Sequence, residues 1–158
     1  MNINIISVGK IKEKYFTAAI EEYSKRLSRF VKLNIIEVPD EKIPDNASEK
    51  EIDIIKEKEG GKILAKLPDN SFVITLCIEG KEMTSEELAE KIADISMMSS
   101  NITFIIGGSL GLSNTVKSRS TLRLSFGRMT LPHQLMRVVL LEQIYRGFKI
   151  NNNESYHK

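Results

Sequence analysis

Four short apolar segments, separated by intervals long enough for a helix, constrain the fold of this chain more than any other feature. They are Ile3–Val8, Leu33–Val38, Phe72–Ile78 and Ile102–Ile106, and a weaker fifth segment covers Thr121–Phe126. Short, largely apolar runs rich in β-branched residues are typical of buried parallel strands. Their alternation with helices predicts an α/β fold, in which a mainly parallel sheet is covered by helices on both faces.

Helical spacing of apolar residues, together with helix-capping residues, predicts four helices. They cover Lys14–Arg29, the residues from the Ser48 cap to Leu67, the residues from the Thr84 cap to Met98, and Pro132–Ile150. Gly60 and Gly61 interrupt the second helical pattern. This interruption predicts either a hinge or, as we prefer, a flexible spot that the helix tolerates.

No linker, repeat or low-complexity segment interrupts the 158 residues, so we expect a single domain over residues 1–158. The last helix is apolar on all sides, since ten of the 17 residues in Gln134–Ile150 are apolar. A helix without a wide polar face needs burial on more than one side. Because the chain is short, we expect a second copy to provide that cover in a symmetric homodimer.

The first residues, MNINIISVGK, contain no basic stretch followed by an apolar core, and no apolar run approaches the roughly 18 residues of a membrane span. We therefore expect a cytoplasmic protein that does not enter a membrane. The single cysteine, Cys77, lies in an apolar segment without a CxxC partner. This position predicts a small core residue, and it excludes a disulfide framework and a thiolate metal site, so no metal is expected.

Basic residues are concentrated towards the C-terminus. Residues 1–116 contain 15 Lys and Arg against 19 Asp and Glu, whereas residues 117–158 contain eight basic residues against two acidic ones. A cationic surface suits a partner that carries phosphates, because neutralising phosphates releases condensed counterions. The charge distribution therefore fits either nucleic-acid contact or a solvated basic face.

Ligands of open α/β sheets bind beyond the carboxyl ends of the strands, so the loops after Ile78, Ile106 and Phe126 form the candidate site. The second loop begins with GGSLG (residues 107–111), and the third is GRMTLPH (residues 127–133). A dinucleotide site would need G-x-G-x-x-G after the first strand and an acidic residue ~20 positions later, and both are missing. Walker A, HExxH and GxSxG sequences are also absent.

Six segments distributed over the whole chain resemble one family. They are SVGKIKEKY (7–15), IIEVPDEK (35–42), KEKEG (56–60), FIIGGSLGL (104–112), LSFGRMTLPHQLMRVVLLEQIYR (124–146) and YHK (156–158). The resemblance is to the SPOUT-class ribosomal RNA large-subunit methyltransferases that methylate N3 of a pseudouridine. It implies an α/β fold with a C-terminal trefoil knot, an exception to the rule against knotted chains. It also implies S-adenosylmethionine as the cofactor, and large-subunit ribosomal RNA or the ribosome as the partner.

The resemblance further implies that the cofactor lies bent among the knot loops. The implied cofactor-binding residues are Leu76, Gly107, Gly108, Phe126, Gly127, Arg128, Met129, Thr130 and Leu131. Adenine needs an apolar slot with backbone donors and acceptors, and glycines keep Cβ atoms out of such a slot. Without the surrounding motif, Gly107 and Gly108 would fit a tight turn after a strand equally well.

Methyl transfer from a sulfonium centre needs alignment and removal of the N3 proton of the base, but it needs neither a metal nor a covalent enzyme intermediate. The candidate catalytic residues are His133, Arg137, Arg146, Tyr156 and His157. The alternative for His133, which we prefer, is stabilisation of a helix start. The alternative for both arginines is an ion pair with Glu142. The YHK tail offers an aromatic ring, an imidazole and a cation, which suit an unpaired RNA base.

Two other functions stay open from the sequence. A non-catalytic ribosome-binding or assembly factor with the same fold would bind ribosomes without transferring a methyl group. A nicotinamide-dependent oxidoreductase would bind NADH, although the missing acidic residue argues against it.

Overall fold

The computed structural model describes all 158 residues and contains five strands and five helices. The strands are β1 (Asn2–Val8), β2 (Lys32–Val38), β3 (Phe72–Glu82), β4 (Asn101–Ile106) and β5 (Leu122–Ser125). The helices are α1 (Lys14–Leu27), α2 (Glu49–Lys66), α3 (Ser85–Met98), α4 (Asn114–Arg119) and α5 (His133–Asn151).

The strands form one sheet in the order β2-β1-β4-β3-β5, and every pair of neighbouring strands is parallel. β1 lies inside the sheet, where Ile3 is paired with Leu33 of β2 and with Ile102 of β4. Parallel pairing aligns the carboxyl ends of all five strands at one edge, and the loops that follow the strands meet there. The predicted α/β fold with a parallel sheet is confirmed.

Each face of the sheet has its own apolar core. On one face Leu27 of α1, Ile92 of α3 and Leu140 of α5 pack with Phe104 in a cluster of 16 buried residues. On the other face α2 and α4 pack in a cluster of nine buried residues, which includes Ile63 and Val116. Helices therefore cover both faces, as the apolar strands predict.

The start of α2 and the start of α3 carry the predicted capping boxes. Ser48 accepts a hydrogen bond from the backbone N–H of Glu51, and Thr84 accepts one from the backbone N–H of Glu87. In both cases the glutamate carboxylate accepts a hydrogen bond from the backbone N–H of the capping residue. Donors left free by the first helical turn are thereby satisfied.

Two elements differ from the sequence prediction. β3 continues past Ile78 to Glu82, with a register shift between Leu76 and Lys81 against β5. Glycine at position 80 permits this close pairing, because a Cβ atom there would lie 2.8 Å from backbone atoms of Arg123. The second difference is α4, whose six residues are too few to show helical periodicity.

A break or hinge at Gly60 and Gly61 is contradicted, whereas the preferred interpretation that the helix tolerates both glycines is confirmed. α2 passes through both positions as one continuous helix of 18 residues. A Cβ atom on Gly60 would lie 2.6 Å from Oγ of Ser113 and 3.0 Å from Cγ2 of Val116, both next to or within α4. Glycine is therefore present at position 60 because α2 and the start of α4 are in close contact.

None of the helices combines the length and the apolar character that a membrane crossing requires. The trefoil knot and the homodimer implied for this chain stay predictions.

Candidate active site

A cavity of about 730 Å³ lies at the carboxyl edge of the sheet, where the loops after β3, β4 and β5 meet. These are the three loops selected from the sequence. Eight of the nine implied cofactor residues line the cavity: Leu76, Gly107, Gly108, Phe126, Gly127, Met129, Thr130 and Leu131. The ninth, Arg128, is exposed and lies outside the lining. A groove of about 820 Å³ at the amino edge, near Met1 and Arg29, is more open and is lined by none of these loops.

Close backbone packing shapes the walls of this cavity. A Cβ atom on Gly107 would lie 2.8 Å from the carbonyl carbon of Gly111, so the loop after β4 is folded tightly against itself. Ser125 ties the loop after β5 to β3, because its hydroxyl donates to the carbonyl of Ile78 and accepts from the N–H of Gly127. Gly127 itself has a φ of +121°, a conformation that L side chains rarely adopt. These contacts fix the walls of the cavity.

Several cavity residues escaped the sequence prediction because tertiary packing brings them in from other elements. The lining residues from other elements are Lys56 of α2, Lys117 of α4 and Met136 of α5. Cys77 and Glu79 of β3 were also missed, although they flank Ile78 and adjoin one of the three selected loops. Lys117 forms an ion pair with Glu79, whereas Lys56 forms none. Cys77 is 8% exposed and belongs to the core, as predicted, and burial raises the pKa of its thiol.

His133 begins α5 and lies on the wall of the cavity. The N-cap of α5 is Pro132, and no side-chain hydrogen bond caps this helix start. The interpretation of His133 as a helix-start stabiliser stays a prediction. Burial lowers the pKa of the imidazole, and the nearby Arg137 lowers it further, while Asp40 opposes both. The ring is therefore neutral at pH 7. Its Nδ1 atom is buried and has no hydrogen-bond partner in the chain.

Arg137 is buried beneath this end of α5, and its guanidinium does not reach the surface. It pairs with Glu37 of β2 at 2.6 Å and donates to the carbonyls of Val8 and Gly9 at 2.9 and 2.7 Å. The suggested pairing with Glu142 is therefore wrong for Arg137. Direct RNA contact by this residue is contradicted as well, because its donors bind the ends of β1 and β2.

The other three catalytic candidates form a cluster at the far end of α5. Arg146 pairs with Glu142 at 2.7 Å, as the alternative interpretation has it, and its guanidinium lies 4.7 Å from the ring centre of Tyr156. His157 lies 3.2 Å from Arg146 through Nδ1 and 2.6 Å from Glu86 of α3 through Nε2. The tail is thus ordered against its own chain.

Tyr156 donates its hydroxyl to Oε1 of Glu142 at 3.1 Å. Burial, followed by this hydrogen bond, raises the pKa of Tyr156 to about 12. The phenol therefore keeps its proton at neutral pH, and Tyr156 can act there as a hydrogen-bond donor and an aromatic surface rather than as a base.

The candidate catalytic residues consequently fall into two groups. His133 and Arg146 are separated by 13 residues of one helix, which corresponds to roughly 20 Å along its axis. Only His133 is at the cavity. One copy of the chain does not bring the tail cluster to its own cavity.

No group of three or more histidine, cysteine or carboxylate side chains is arranged to hold a metal ion. The fold is that of an α/β protein with a cavity built mainly from loops late in the chain. The chain matches the family model "Predicted SPOUT methyltransferase" over residues 1–157, and it belongs to this family of methyltransferases. A methyl donor is thus part of its chemistry.

The similar proteins cover the full chain. It is 63% identical to "Ribosomal RNA large subunit methyltransferase H" of Clostridium novyi (strain NT) and 59% identical to the protein of that name from Clostridioides difficile (strain 630), with 100% of each chain covered. Among solved structures, a probable methylase family protein from Haemophilus influenzae Rd KW20 matches with a TM-score of 0.54 and 15% identity. The match covers 99% of this chain and 70% of that one, and it supports the fold alone.

Proposed function

We propose that this chain transfers the methyl group of S-adenosylmethionine to N3 of a pseudouridine in large-subunit ribosomal RNA, and that it acts as a cytoplasmic homodimer. The observation that carries this proposal is the cavity at the carboxyl edge of the sheet. This cavity has apolar walls, accessible loop backbone and a neutral histidine. Similar proteins that cover the whole chain bear the name of a ribosomal RNA methyltransferase.

The cavity suits S-adenosylmethionine in size and in lining. Its volume of about 730 Å³ lies within the range of small-molecule sites. Leu76, Phe126 and Leu131 offer apolar surface for the adenine, and the glycine loop after β4 offers backbone groups without intervening Cβ atoms. The bound cofactor supplies an activated methyl group on its sulfonium. The residues of the chain then need to hold the base in line and remove its proton.

His133 is the residue best suited to accept the N3 proton. A general base must be unprotonated at the working pH and must have a free acceptor atom close to the reacting group. The lowered pKa of His133 meets the first condition. Its Nδ1 is buried, so the acceptor that can meet the second condition is Nε2, in the tautomer with its proton on Nδ1. Among the candidate catalytic residues, His133 alone lies on the cavity wall.

A second copy of the chain explains how the tail cluster could take part. The tail of one chain is roughly 20 Å from its own cavity along α5, so the partner in a symmetric dimer is the natural source of a tail. The apolar residues Leu135, Val138 and Val139 of α5 are only partly buried within one copy. Ile78 and Met129 at the cavity are 51% and 87% exposed. Both regions would gain cover from a partner.

Contact with RNA phosphates is best supported near the β5 edge of the sheet. Four basic residues of the C-terminal segment are neutralised by ion pairs: Lys117, Arg137, Arg146 and Lys149. Arg119, Arg123 and Arg128 are exposed and form no ion pair, and they lie just before, within and just after β5. We therefore assign the phosphate contacts to these three arginines rather than to Arg137.

Methyl-labelled S-adenosylmethionine tests the proposal when it is incubated with free ribosomal RNA, isolated large subunits and whole ribosomes. We expect label in large-subunit RNA, with the modified base identified as N3-methylpseudouridine by mass spectrometry. Saturable ribosome binding without any label would instead indicate a non-catalytic assembly factor. Tight NADH binding with no uptake of S-adenosylmethionine would point to an oxidoreductase.

A further inference from the structure

The KEKEG motif of α2 places a buried carboxylate directly behind the cofactor cavity. Glu59 is 5% exposed, and its Oε2 accepts a hydrogen bond from the backbone N–H of Glu41 at 3.0 Å. Its other oxygen, Oε1, makes no hydrogen bond within the chain. Oε1 lies 3.5 Å from the point where a Cβ atom on Gly108 would stand, and Gly108 is part of the cavity wall.

Because Gly108 has no side chain, Oε1 of Glu59 can lie close to the backbone of this wall residue. A Cβ atom there would also lie 3.2 Å from Cγ1 of Val8, so a larger residue would press between the carboxylate and β1. The Glu59 carboxylate thus lies next to a residue of the cavity wall, although it does not line the cavity itself. A buried charge in such a position acts on an ion bound in the cavity, because protein screens charges less than bulk water does.

No cation of the chain neutralises Glu59. Lys62 acts on Glu59 by lowering the pKa of its carboxyl, but the Lys62 ammonium itself binds Oε1 of Glu41 at 2.9 Å and the carbonyl of Pro39 at 3.2 Å. Asp40 adds a second negative charge nearby, and burial is the main cause that raises the pKa of Glu59. A buried charge without a partner lowers stability, so its presence beside a ligand cavity suggests that the ligand carries the missing positive charge.

We propose that the Glu59 carboxylate is the electrostatic partner of the cofactor's positively charged sulfonium group, and that it makes the cavity prefer the charged methyl donor over the neutral product. This inference rests on the proposed function. Methyl transfer removes the sulfonium charge, since S-adenosylhomocysteine has an uncharged sulfur. Glu59 therefore stabilises the bound donor more than the bound product, which favours product release after each transfer.

Titration calorimetry with S-adenosylmethionine and S-adenosylhomocysteine, on the full-length wild type and on E59Q, tests this inference. Glutamine keeps an oxygen that can accept from the N–H of Glu41 while it removes the charge. We expect E59Q to bind S-adenosylmethionine about five- to tenfold more weakly and S-adenosylhomocysteine within about twofold of wild type. Because a buried charge is removed, we also expect the ligand-free E59Q protein to melt at a higher temperature than wild type at pH 7.

Two further variants separate charge from structure. E57Q removes the same charge two residues away on α2, where the Glu57 carboxylate is exposed and accepts from Thr115, and we expect it to leave both affinities unchanged. E59D keeps the buried charge, so it should retain the preference for the donor even if the loop after β2 shifts. An equal loss of affinity for both ligands in E59Q, or no loss, would overturn the inference. A wild-type protein that takes up neither ligand would overturn the proposed function and this inference with it.

Discussion

Each end of α5 carries an arginine, and the sequence predicts the same role for both. In the structure, Arg137 and Arg146 differ in burial and in binding partners. Arg137, near the first turn, has a side chain that is 3% exposed and holds the ends of β1 and β2. Arg146, two and a half turns later, is 24% exposed and holds the tail through Glu142 and Tyr156. One end of the helix is thus part of the interior, and the other holds the C-terminal tail at the surface.

The largest expected effect follows from removing the buried arginine. R137A leaves the carbonyls of Val8 and Gly9 without their donor and the carboxylate of Glu37 without its partner. Breaking a buried pair of this kind costs about 3 kcal/mol or more in the free energy of unfolding. Urea denaturation followed by circular dichroism measures the loss.

R146A is the matched control on the same helix. Its ion pair is partly exposed and joins residues four apart, so we expect a loss below about 1 kcal/mol. If R146A destabilised the protein as much as R137A does, the contrast between the two ends of α5 would be wrong.

The next effect concerns the cavity wall at the start of the loop after β4. In G107V the new Cβ atom would lie 2.8 Å from the carbonyl carbon of Gly111, so the loop backbone has to move. We expect the affinity for S-adenosylhomocysteine, measured by calorimetry, to fall by about 10- to 100-fold. G61A is the control, because a Cβ atom there meets no atom within 4 Å, and it should bind the ligand like wild type.

A smaller effect is expected from a substitution in the C-terminal tail, where cofactor binding and methyl transfer should respond differently. H157A removes the contacts with Arg146 and Glu86 but touches nothing in the cavity of its own chain. We expect methyl transfer to ribosomes to fall by about tenfold or more through lost positioning, while affinity for S-adenosylhomocysteine stays within about twofold. Equal losses in both measurements would place the tail in the cofactor site instead.

The sequence predicts those parts of the molecule that neighbouring residues determine. Strands β1, β2 and β4 and both capping boxes depend on residues a few positions apart, and they are confirmed, as is β3 as far as Ile78. Contacts between distant segments lie beyond such patterns. Glu37 and Arg137 are 100 residues apart, and the extension of β3 depends on a contact between Gly80 and Arg123.

The candidate site likewise contains residues that the sequence predicts and residues that only contacts between distant segments bring in. The resemblance supplied Leu76, the two glycines after β4 and the six residues after β5, and eight of those nine residues line the cavity. Lys56 and Lys117 come from α2 and α4, which the loop argument did not select, whereas Glu79 directly follows Ile78 and was missed within a selected region. The KEKEG motif did contain Lys56, so its place in the resemblance was the one available hint. Burial separated Arg137 from the other catalytic candidates, and burial depends on the complete fold.

The smallest expected effect is a pH dependence that belongs to the cavity end of α5. The pKa of His133 is lowered below 6.5 in the folded protein, chiefly by burial, so the unfolded chain binds more protons than the folded one between these two values. The free energy of unfolding should therefore fall as the pH drops through 6.5, and the fall should end below the folded-state pKa. H133Q removes this contribution, so the difference in stability between wild type and H133Q should shift in favour of the variant as the pH falls from 8 to 5.

Asp40 raises the pKa of His133, so the same wild-type-to-H133Q comparison in a D40N background should show a larger shift. A pH-independent difference in both backgrounds would mean that His133 titrates as it does in water, and its assignment as the neutral base at the cavity would lose its support.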